Sequence, residues 1–310
     1  MYRFVLQRLL ITIPVLLGVS FIIFSIVSMT PGNPGRLILG MNAQQEAVDM
    51  LNRELGYYNP FIVRYLDYMK NVVTRLDFGT SYRSGDKVIN EIMLRFPYTL
   101  LLALLSVAFS SIIGIALGVI AAVKQYSFTD NFLTVLAMFF ASIPGFWLAM
   151  NLILIFALYL HLLPTSGVDS WKSFVLPVIS LTVGGAGGML RLTRSTMLEV
   201  IRQDYIRTAR AKGATNRMVI WRHAMKNALL QIITVMAMSF GGLLGGAIIA
   251  ETVFGIPGLG VYLVQAIRMK DIPVVMSTTI LLAAIFCLIV LVLDIVYAFI
   301  DPRIRSKYSA

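Results

Sequence analysis

The side chains that could perform chemistry in this chain are few and lie far apart. The single cysteine, Cys287, lies in an apolar run, and the two histidines, His161 and His223, are distant from it in sequence. One cysteine cannot form a disulfide within the chain, and this set lacks the ligand spacing of a metal site. The sequence also has no Gly-x4-Gly-Lys-Ser/Thr segment for nucleotide phosphates, and no Ser/His/Asp set or His-Glu-x-x-His pattern at membrane depth. We therefore expect no bound metal, no ATP site of this kind in the chain and no intramembrane protease.

Asp294 is the clear case of an ionisable residue inside a long apolar run. In a continuous helix it would lie about 10 Å along the axis before Asp301. An ionisable residue within an apolar run that spans a membrane is by default a candidate for proton transfer. The sequence offers it no second titratable group and no buried basic partner, so we expect it to form a hydrogen bond at a helix interface instead.

The most informative charged feature is a basic segment between Arg191 and Lys226. It contains nine Lys or Arg residues and two acidic residues, Glu199 and Asp204, and so contributes +7 of the net charge of +11. Such a segment obeys the rule that short cytoplasmic loops are rich in Lys and Arg, and it could also contact anionic lipid. Neither role requires a defined local structure.

The residue order within this basic segment predicts two short helices separated by a sharp break. Strong helix formers follow Asp204, and Gly213 then occupies the position of a C-terminal capping glycine after a basic last turn. Thr215 or Asn216 can cap a second helix beginning near Arg217. A capped turn between two short helices presents a rigid knob to a groove in a partner protein. We therefore favour partner docking over lipid contact alone.

The composition places these motifs on a membrane protein. Hydrophobic residues make up 58% of the chain and charged residues 13%, and the mean hydropathy is +0.82, which is too apolar for a water-soluble surface. The basic residues alternate with long uncharged runs, as expected where Lys and Arg mark the cytoplasmic ends of membrane spans. This pattern argues against a nucleic-acid-binding protein.

Six apolar segments are long enough to cross the hydrocarbon core, which needs about 20 residues per helix. They are Leu9–Met29, Tyr98–Val123, Phe132–Leu160, Phe174–Leu190, Leu229–Ala250 and Val274–Ile300. The fourth is the weakest, because the glycines at 184, 185, 187 and 188 lower its helix propensity. We interpret these glycines as a packing face that lets helices approach closely, with a broken or re-entrant segment as the alternative.

Lys and Arg in the short loops set the predicted orientation. With the N-terminus inside, the inside segments hold fifteen basic residues, whereas the two short outside loops hold three. An even number of spans then places both termini in the cytoplasm. The long loop from Pro31 to Phe96 has apolar residues at helical spacing, with Pro60 near a helix start. We therefore predict a small extracytoplasmic region of short helices.

These features divide the chain into three regions. Residues 1–30 form the N-terminal tail and first span, residues 31–97 the extracytoplasmic loop region, and residues 98–310 a five-span core with the cytoplasmic loop 191–227. The first apolar run is too long for the apolar part of a signal peptide and has no small-x-small cleavage site. We expect it to remain as an anchoring helix.

Several short motifs, in order along the chain, are shared with one family. Residues 204–213, followed by 223–228, resemble the EAA loop of ABC-importer permeases in its dipeptide/oligopeptide form. Further motifs resemble the family's first span, its first external loop and the flanks of its last span: Arg8–Pro14, Gly18–Ser20, Pro31–Pro34, Leu55-Gly56, Asn59-Pro60, Arg64-Tyr65, Asp77–Gly79, Glu251–Gly260 and Asp301–Arg305. Each motif is weak by itself, but their order and spacing are specific over nearly the whole chain. The chain therefore resembles the B-type permease of the dipeptide/oligopeptide/nickel group.

The resemblance implies an all-α integral membrane protein of about six spans, with the type I fold of ABC importer permeases and a cytoplasmic coupling helix. That helix, centred on Thr208–Gly213, would enter a cleft on an ATPase subunit. The residues expected to dock are Asp204, Tyr205, Arg207, Thr208, Ala209, Arg210, Ala211, Lys212 and Gly213, with His223 and Asn227 supporting the loop. Small residues would let this knob fit a groove, and its basic side chains would pair with acidic groups on the rim.

The resemblance also implies partners outside and within the membrane. The loops 31–96 and 251–270 would meet an extracytoplasmic solute-binding protein. The expected contact or gate residues are Glu251, Phe254, Pro257, Gly258 and Gly260, with a plain membrane-surface turn as the alternative for Pro257–Gly260. The other implied partners are a second, C-type permease, two ATPase subunits that bind ATP and Mg, and membrane lipid. No cofactor on this chain and no nucleic acid is implied, and the expected location is the inner membrane of a bacterium or archaeon.

The chain departs from the family pattern at two places. The Glu-Ala-Ala of the loop falls on Arg207-Thr208-Ala209, so only the last alanine matches, and the proline often found after the second helix is replaced by Gln231. The second departure leaves the junction with the fifth span open. The substrate also stays open, because peptide importers and nickel or metal-chelate importers of this group look alike here. A secondary transporter is the alternative from another class, but inverted repeats, interrupted helices and a titratable midplane site are not evident.

Overall fold

The computed structural model describes residues 2–29 and 32–300, and most of them are helical. Its first helices are α1 (Tyr2–Met29), α2 (Pro34–Leu39), α3 (Gln45–Glu54) and α4 (Phe61–Arg75). They are followed by α5 (Val88–Val123), α6 (Phe128–Ser142), α7 (Gly145–Leu152) with a π-helical continuation Ile153–Tyr159, a 3-10 turn Trp171–Phe174, and α8 (Val175–Ile201). The remaining helices are α9 (Asp204–Ala211), α10 (Asn216–Met218) with a π-helical continuation Val219–Ala224, α11 (Met225–Gly246), α12 (Ile248–Val253), α13 (Leu259–Met269) and α14 (Ile272–Ile300). Pro31 and the motif at 301–305 lie outside the described residues.

The apolar helices confirm an all-α membrane protein of about six spans. Five are long and apolar enough to cross a membrane: Val5–Met29, Val88–Val123, Trp171–Ile201, Asn216–Gly245 and Ile272–Phe299. The sixth candidate is a pair, Phe128–Ser142 and Gly145–Tyr159, whose two helices meet at an angle of 91°. Counting the pair as one span gives six.

The bent pair corrects the sequence-based expectation that no span is interrupted. Ile143 has an extended backbone conformation (φ −73°, ψ 124°) and Pro144 caps the next helix. Proline disfavours helical dihedral angles at the residue before it and has no N–H to continue the helix. The predicted span 132–160 is therefore two helices joined at a sharp corner.

The fourth predicted span, by contrast, is one continuous helix, so its glycines do not break it. Its apolar window is 56% buried inside the chain, the largest share among the five long spans. A Cβ added at Gly187 would lie 2.7 Å from the Ala137 carbonyl oxygen, and one at Gly185 would lie 3.1 Å from Ser110 Cβ. At Gly184 and Gly188 an added Cβ would meet no described atom within 4 Å outside the immediate helix backbone. Only half of the glycine cluster therefore forms a packing face.

A second pair of glycines makes the matching close approach from α5. A Cβ on Gly114 would lie 2.5 Å from Met189 Cβ, and one on Gly118 would lie 2.7 Å from the Leu190 carbonyl oxygen. Glycines four residues apart lie on one face of a helix and let two backbones come close in a membrane, where close packing replaces the hydrophobic effect as the driving force. The contact between α5 and α8 therefore depends on this Gly-x-x-x-Gly pair.

The glycine contacts predict opposite outcomes for two neighbouring substitutions. Gly187→Ala should lower the free energy of unfolding by about 1–3 kcal/mol, because the new methyl group would clash with a backbone carbonyl that cannot rotate away. Gly188→Ala is the matched control and should raise it by up to about 1 kcal/mol through better helix propensity. Denaturation of both variants in the same mixed micelles would measure the difference. Equal destabilisation by the two substitutions would contradict the assigned packing.

The described chain forms two compact units. The N-terminal unit comprises Tyr2–Pro97 with Gly258–Leu288, and the central unit comprises Tyr98–Pro257 with 289–300. One division falls between residues 97 and 98, and residues 258–288 pack with the N-terminal unit.

The short helices of the N-terminal unit confirm the prediction that the first long loop is folded. Asn52 is fully buried, its Oδ1 accepts a hydrogen bond from the Gly35 backbone (2.9 Å), and its Nδ2 donates to Asn33 Oδ1 (2.8 Å). Pro60 precedes α4 at its N-cap, as expected. On α4, the Tyr65 hydroxyl forms a hydrogen bond with Ser20 Oγ of α1 (2.9 Å). These contacts hold α2 against α3 and α4 against α1.

Candidate docking site

The basic segment folds as predicted into a short helix, a sharp break and a second helix. α9 covers Asp204–Ala211, and one of its residues, Ile206, is completely buried. Ile206 belongs to a hydrophobic cluster of the central unit that also contains Met197, Val219 and Met225. One aliphatic anchor in an otherwise polar helix fixes which face of α9 is turned inward, and the other face is exposed.

The break after α9 has the hydrogen bonds of a Schellman motif. Gly213 has a positive φ of 81°, its N–H donates to the Arg210 carbonyl (2.9 Å), and the Ala214 N–H donates to the Ala209 carbonyl (3.1 Å). Glycine adopts this left-handed conformation without the steric penalty of a Cβ. Thr215 then caps the next helix, because its side chain accepts a hydrogen bond from the Met218 N–H (3.4 Å).

The helix after the break continues without interruption into the fifth span, which settles the junction left open by Gln231. α10, the π-helical turn Val219–Ala224 and α11 follow one another directly. Gln231 lies within α11, and its Oε1 accepts a hydrogen bond from Thr196 Oγ1 of α8 (2.8 Å). An amide at this position therefore links α11 to α8.

The structure brings the nine expected docking residues together on one exposed, capped turn. Exposed residues among them are Asp204, Tyr205, Arg207, Thr208, Arg210, Ala211, Lys212 and Gly213, and Ala209 is half-buried. Asp204 and Arg207 form an ion pair at 3.6 Å on the surface, which contributes little to stability because water screens it. We refer to Asp204–Gly213 as the knob.

The two residues expected to support the loop lie after the break, His223 in the π-helical turn Val219–Ala224 and Asn227 in the first turn of α11. Asn227 donates a hydrogen bond from Nδ2 to the His223 carbonyl (2.8 Å). Burial raises the pKa of Tyr205 above its usual value, and the polar Asn227 side chain nearby opposes this rise. His223 itself is half-buried. The Asn227 side chain, at the start of α11, therefore lies near Tyr205 in the first turn of α9.

A buried ion pair that the sequence did not predict holds the start of α6 to α8. Arg194 donates from Nε to Asp130 Oδ1 (2.5 Å) and from Nη2 to Asp130 Oδ2 (2.7 Å). The Asp130 side chain is 1% exposed and that of Arg194 is 26% exposed. Asp130 also accepts a hydrogen bond from the Tyr126 N–H (2.9 Å). The pair lies in the central unit, on the helix that leads directly into the knob.

A local signal for Asp130 was present in the sequence. Ser127 and Asp130 have the Ser-x-x-Asp spacing of a helix start, and Ser127 does cap α6 by accepting a hydrogen bond from the Asp130 N–H (3.3 Å). Its partner, Arg194, is 64 residues away in sequence, so the pairing could not be read from the spacing. The sequence also contained a signal that Ile206 is the buried anchor, because Ile206 is a large aliphatic residue within a run of charged and small residues.

The residues expected to contact a binding protein are mostly buried within the chain. In the central unit, Glu251 is fully buried and accepts a hydrogen bond from Thr99 Oγ1 (2.7 Å), and Phe254 is 1% exposed. The Phe254 carbonyl accepts a hydrogen bond from the Gly167 N–H (3.0 Å). Pro257 is half-buried. These side chains fix the shape of the loop that follows α12, and they do not form its surface.

Gly258 and Gly260 lie in the N-terminal unit and are also buried. Gly258 is the N-cap of α13. Both residues therefore belong to the base of a helix and offer no side chain to a partner. Asp294 is half-buried in α14.

The arrangement of apolar spans with an exposed, capped helix between α8 and α11 can be compared with the folds of solved membrane proteins. Among solved structures, the inward-facing MetNI methionine ABC transporter has the same fold, with a TM-score of 0.57 at 22% identity over 69% of this chain and 97% of that chain. An amino acid ABC transporter crystallised with histidines gives a TM-score of 0.51 at 15% identity over 69% of this chain and 94% of that one. These likenesses show that the chain has the type I fold of ABC importer permeases.

The sequence comparisons narrow this class to one family. Residues 114–306 match the binding-protein-dependent transport system inner membrane component, and residues 1–103 match the N-terminal part of the binding-protein-dependent transport system membrane component. The chain is 41% identical to the glutathione transport system permease protein GsiC of Escherichia coli strain K12, over 99% of this chain and 100% of that protein. The identity and both coverages are the same for GsiC of Salmonella typhimurium strain LT2. The chain belongs to the family of binding-protein-dependent transport system inner membrane components, and it is a permease subunit of an ABC importer.

Proposed function

We propose that this chain forms, with a second permease, the translocation path for short peptides that a solute-binding protein delivers. The observation that carries the coupling part of the proposal is the knob, a basic and exposed turn fixed from below by Ile206 and closed by Gly213. The peptide part is supported by the relatives named as glutathione permeases, because glutathione is itself a tripeptide.

In this proposal both termini and the knob lie in the cytoplasm. The excess of Lys and Arg in the segments assigned to the inside supports that orientation, because basic residues near span ends are retained on the cytoplasmic side. ATP and Mg then bind to two ATPase subunits, and this chain contributes no catalytic group. Membrane lipid surrounds the exposed apolar faces of the spans.

The knob has two properties that suit insertion into a protein cleft. Thr208, Ala209, Ala211 and Gly213 are small, so the turn is narrow, and Arg207, Arg210 and Lys212 carry positive charge around it. A rigid knob transmits the movement of its partner, whereas a flexible loop would absorb it, and here the anchor and both caps supply the rigidity. An acidic rim on the ATPase would complement these charges and orient the encounter.

The Glu251–Gly260 stretch has a different part in the proposal. Since Glu251 and Phe254 are buried, contact with a binding protein falls to the exposed Thr252 between them and to the exposed Gly255 directly after Phe254. The buried residues support that loop from inside. Glu251 is then a positioning residue for the extracytoplasmic loop, not a contact residue.

Reversal of two knob charges tests the docking proposal. Arg207→Glu with Arg210→Glu should reduce co-purification of the ATPase by at least about tenfold, because like charges would then face across the cleft. Arg222→Glu with Lys226→Glu is the matched control, since both residues are exposed, belong to the same basic segment and change the net charge equally. Membrane insertion should be unchanged in both variants. Normal ATPase recovery with the reversed knob would mean that another surface docks.

The peptide assignment is tested independently of docking. The solute-binding protein that co-purifies with the transporter should retain a short peptide, which mass spectrometry would identify after denaturation. Recovery of a metal chelate instead would overturn the peptide assignment and leave the docking proposal intact.

A further inference from the structure

A cavity of about 240 Å³ lies entirely within the N-terminal unit, and several motifs that the sequence singled out line it. The motif residues in its wall are Pro34, Leu55, Gly56, Asn59, Arg64, Phe78 and Gly79. In sequence these residues lie on α2, on α4 and in the segments before and after α4, and nothing in the spacing predicts that they meet. Under the topology proposed above, the cavity is on the extracytoplasmic side.

Arg64 is the cation in this wall. Its guanidinium carbon lies 5.7 Å from the centre of the Phe24 ring and 5.6 Å from the centre of the Tyr57 ring. Two aromatic rings hold a guanidinium by cation–π attraction and partly shield it from water. Arg64 is therefore fixed in place before any ligand arrives.

The guanidinium is nevertheless incompletely satisfied. Arg64 Nε is buried and has no hydrogen-bond partner among the described residues. None of the ion pairs found in the described part of the chain includes Arg64. A buried donor without a partner costs free energy, and a charged one costs more, so native proteins normally satisfy such a group with protein, water or ligand.

The rest of the lining indicates the kind of ligand. Asn71 adds an amide and Tyr82 a phenol, and Asp67, one helical turn after Arg64, adds a carboxylate. Ligand pockets usually occupy about 300–1,000 Å³, so this cavity takes one end of a molecule or a single side chain. A planar guanidinium pairs best with a carboxylate, through two parallel hydrogen bonds.

We propose that this cavity binds a carboxylate group through Arg64. Two sources supply that group in the environment of the protein: the end of a free peptide, or an acidic side chain of the solute-binding protein. The choice of these two sources rests on the proposed function, whereas the carboxylate chemistry rests on Arg64 and its surroundings. Asp67 distinguishes the sources, because its charge would attract the ammonium of a peptide but repel an isolated acidic side chain.

The first experiment measures binding to the assembled transporter in lipid nanodiscs. The probes are triglycine, its C-terminal amide, and the purified solute-binding protein. Arg64→Gln should weaken the binding of the carboxylate-bearing probe by about tenfold or more, and the wild type should prefer triglycine over its amide by a similar factor if the peptide is the source. Arg53→Gln, at an exposed position of α3 in the same unit, should leave every affinity unchanged.

The second set of variants separates the two sources. Asp67→Asn should weaken triglycine binding if the cavity holds a peptide end, and should strengthen binding of the solute-binding protein if the cavity holds one of its acidic side chains. Arg64→Lys retains the charge but loses the paired hydrogen bonds, so it should give an intermediate affinity even where Arg64→Gln fails to fold. A wild type that does not discriminate triglycine from its amide, together with unchanged binding-protein affinity in Arg64→Lys, would overturn the proposal.

The test of carboxylate binding is independent of the test of ATPase docking. The variant with Arg207→Glu and Arg210→Glu should retain full carboxylate binding, because the knob belongs to the other compact unit. Loss of ATPase association in that variant with retained probe binding would support both proposals. If the charge-reversed variant associates normally with the ATPase while Arg64→Gln weakens probe binding, only the docking proposal is overturned.

Discussion

Replacement of Arg194 by methionine should lower the free energy of unfolding by about 3–5 kcal/mol, because it leaves the Asp130 carboxylate buried without its cation. The carboxylate is 1% exposed and receives two hydrogen bonds from the guanidinium, at 2.5 and 2.7 Å. Methionine keeps the length and the apolar contacts of the arginine stem. The loss of unfolding free energy therefore measures the effect of removing the charge and its hydrogen bonds. Chemical denaturation in mixed micelles, followed by tryptophan fluorescence, would measure it.

Arg191→Met is the matched control for this prediction. Arg191 lies on the same helix one turn earlier and is exposed, so its replacement should change stability by no more than about 0.5 kcal/mol. The double variant Asp130→Asn with Arg194→Met removes both charges and should be more stable than Arg194→Met alone, since no uncompensated charge remains. Equal stability of the Arg194 and Arg191 variants would contradict a structural role for the pair.

Ile206→Ala should lower stability by about 2–4 kcal/mol, because it removes most of a fully buried side chain and leaves a cavity beneath α9. Ile206 is 0% exposed and packs in the cluster with Met197, Val219 and Met225. If α9 can detach while the rest of the protein stays folded, the loss of unfolding free energy cannot exceed the free energy of that local opening. Hydrogen exchange of the α9 amides would detect the opening directly, as faster exchange confined to 204–213.

The functional consequence of Ile206→Ala follows from the same anchor. A knob that detaches from the helices beneath it can still bind an ATPase, but it transmits less of the ATPase movement to the spans. We therefore expect ATPase co-purification to persist while substrate-stimulated ATP hydrolysis falls by at least about tenfold. Met218→Ala, at an exposed position of α10, is the control and should leave coupling intact. Unchanged coupling in Ile206→Ala would show that anchoring from this side chain is not needed.

The sequence by itself determined the features that depend on local chemistry. Long apolar runs must form helices in a membrane, since every backbone N–H and C=O needs an internal partner there, and six such runs were visible. Gly213 and Thr215 likewise specified the break after α9, because a positive φ and a side-chain cap are properties of the individual residue. The family resemblance rested on the same local signals.

The bend in the third span shows where local rules become insufficient. Pro144 ends a helix there, yet Pro14 and Pro97 lie inside α1 and α5 without breaking them. A proline removes one hydrogen bond in each case, and the packing around each helix decides whether the chain bends, breaks or continues. The glycines of α8 show the opposite case. Their low helix propensity suggested a weak or broken span, yet the helix is continuous, and Gly185 and Gly187 pack closely against neighbouring helices.

Tertiary structure alone decided which distant residues meet. Asp130 and Arg194 are joined across 64 positions, and the cavity around Arg64 collects motif residues from separate helices and loops. Glu251 and Phe254 were expected at a surface but are buried, because a residue's type and spacing do not fix its depth in a fold where apolar residues face both lipid and protein. The sequence therefore determined the class of protein and the form of the knob, and the packing of the helices determined what supports the knob and where a carboxylate could bind.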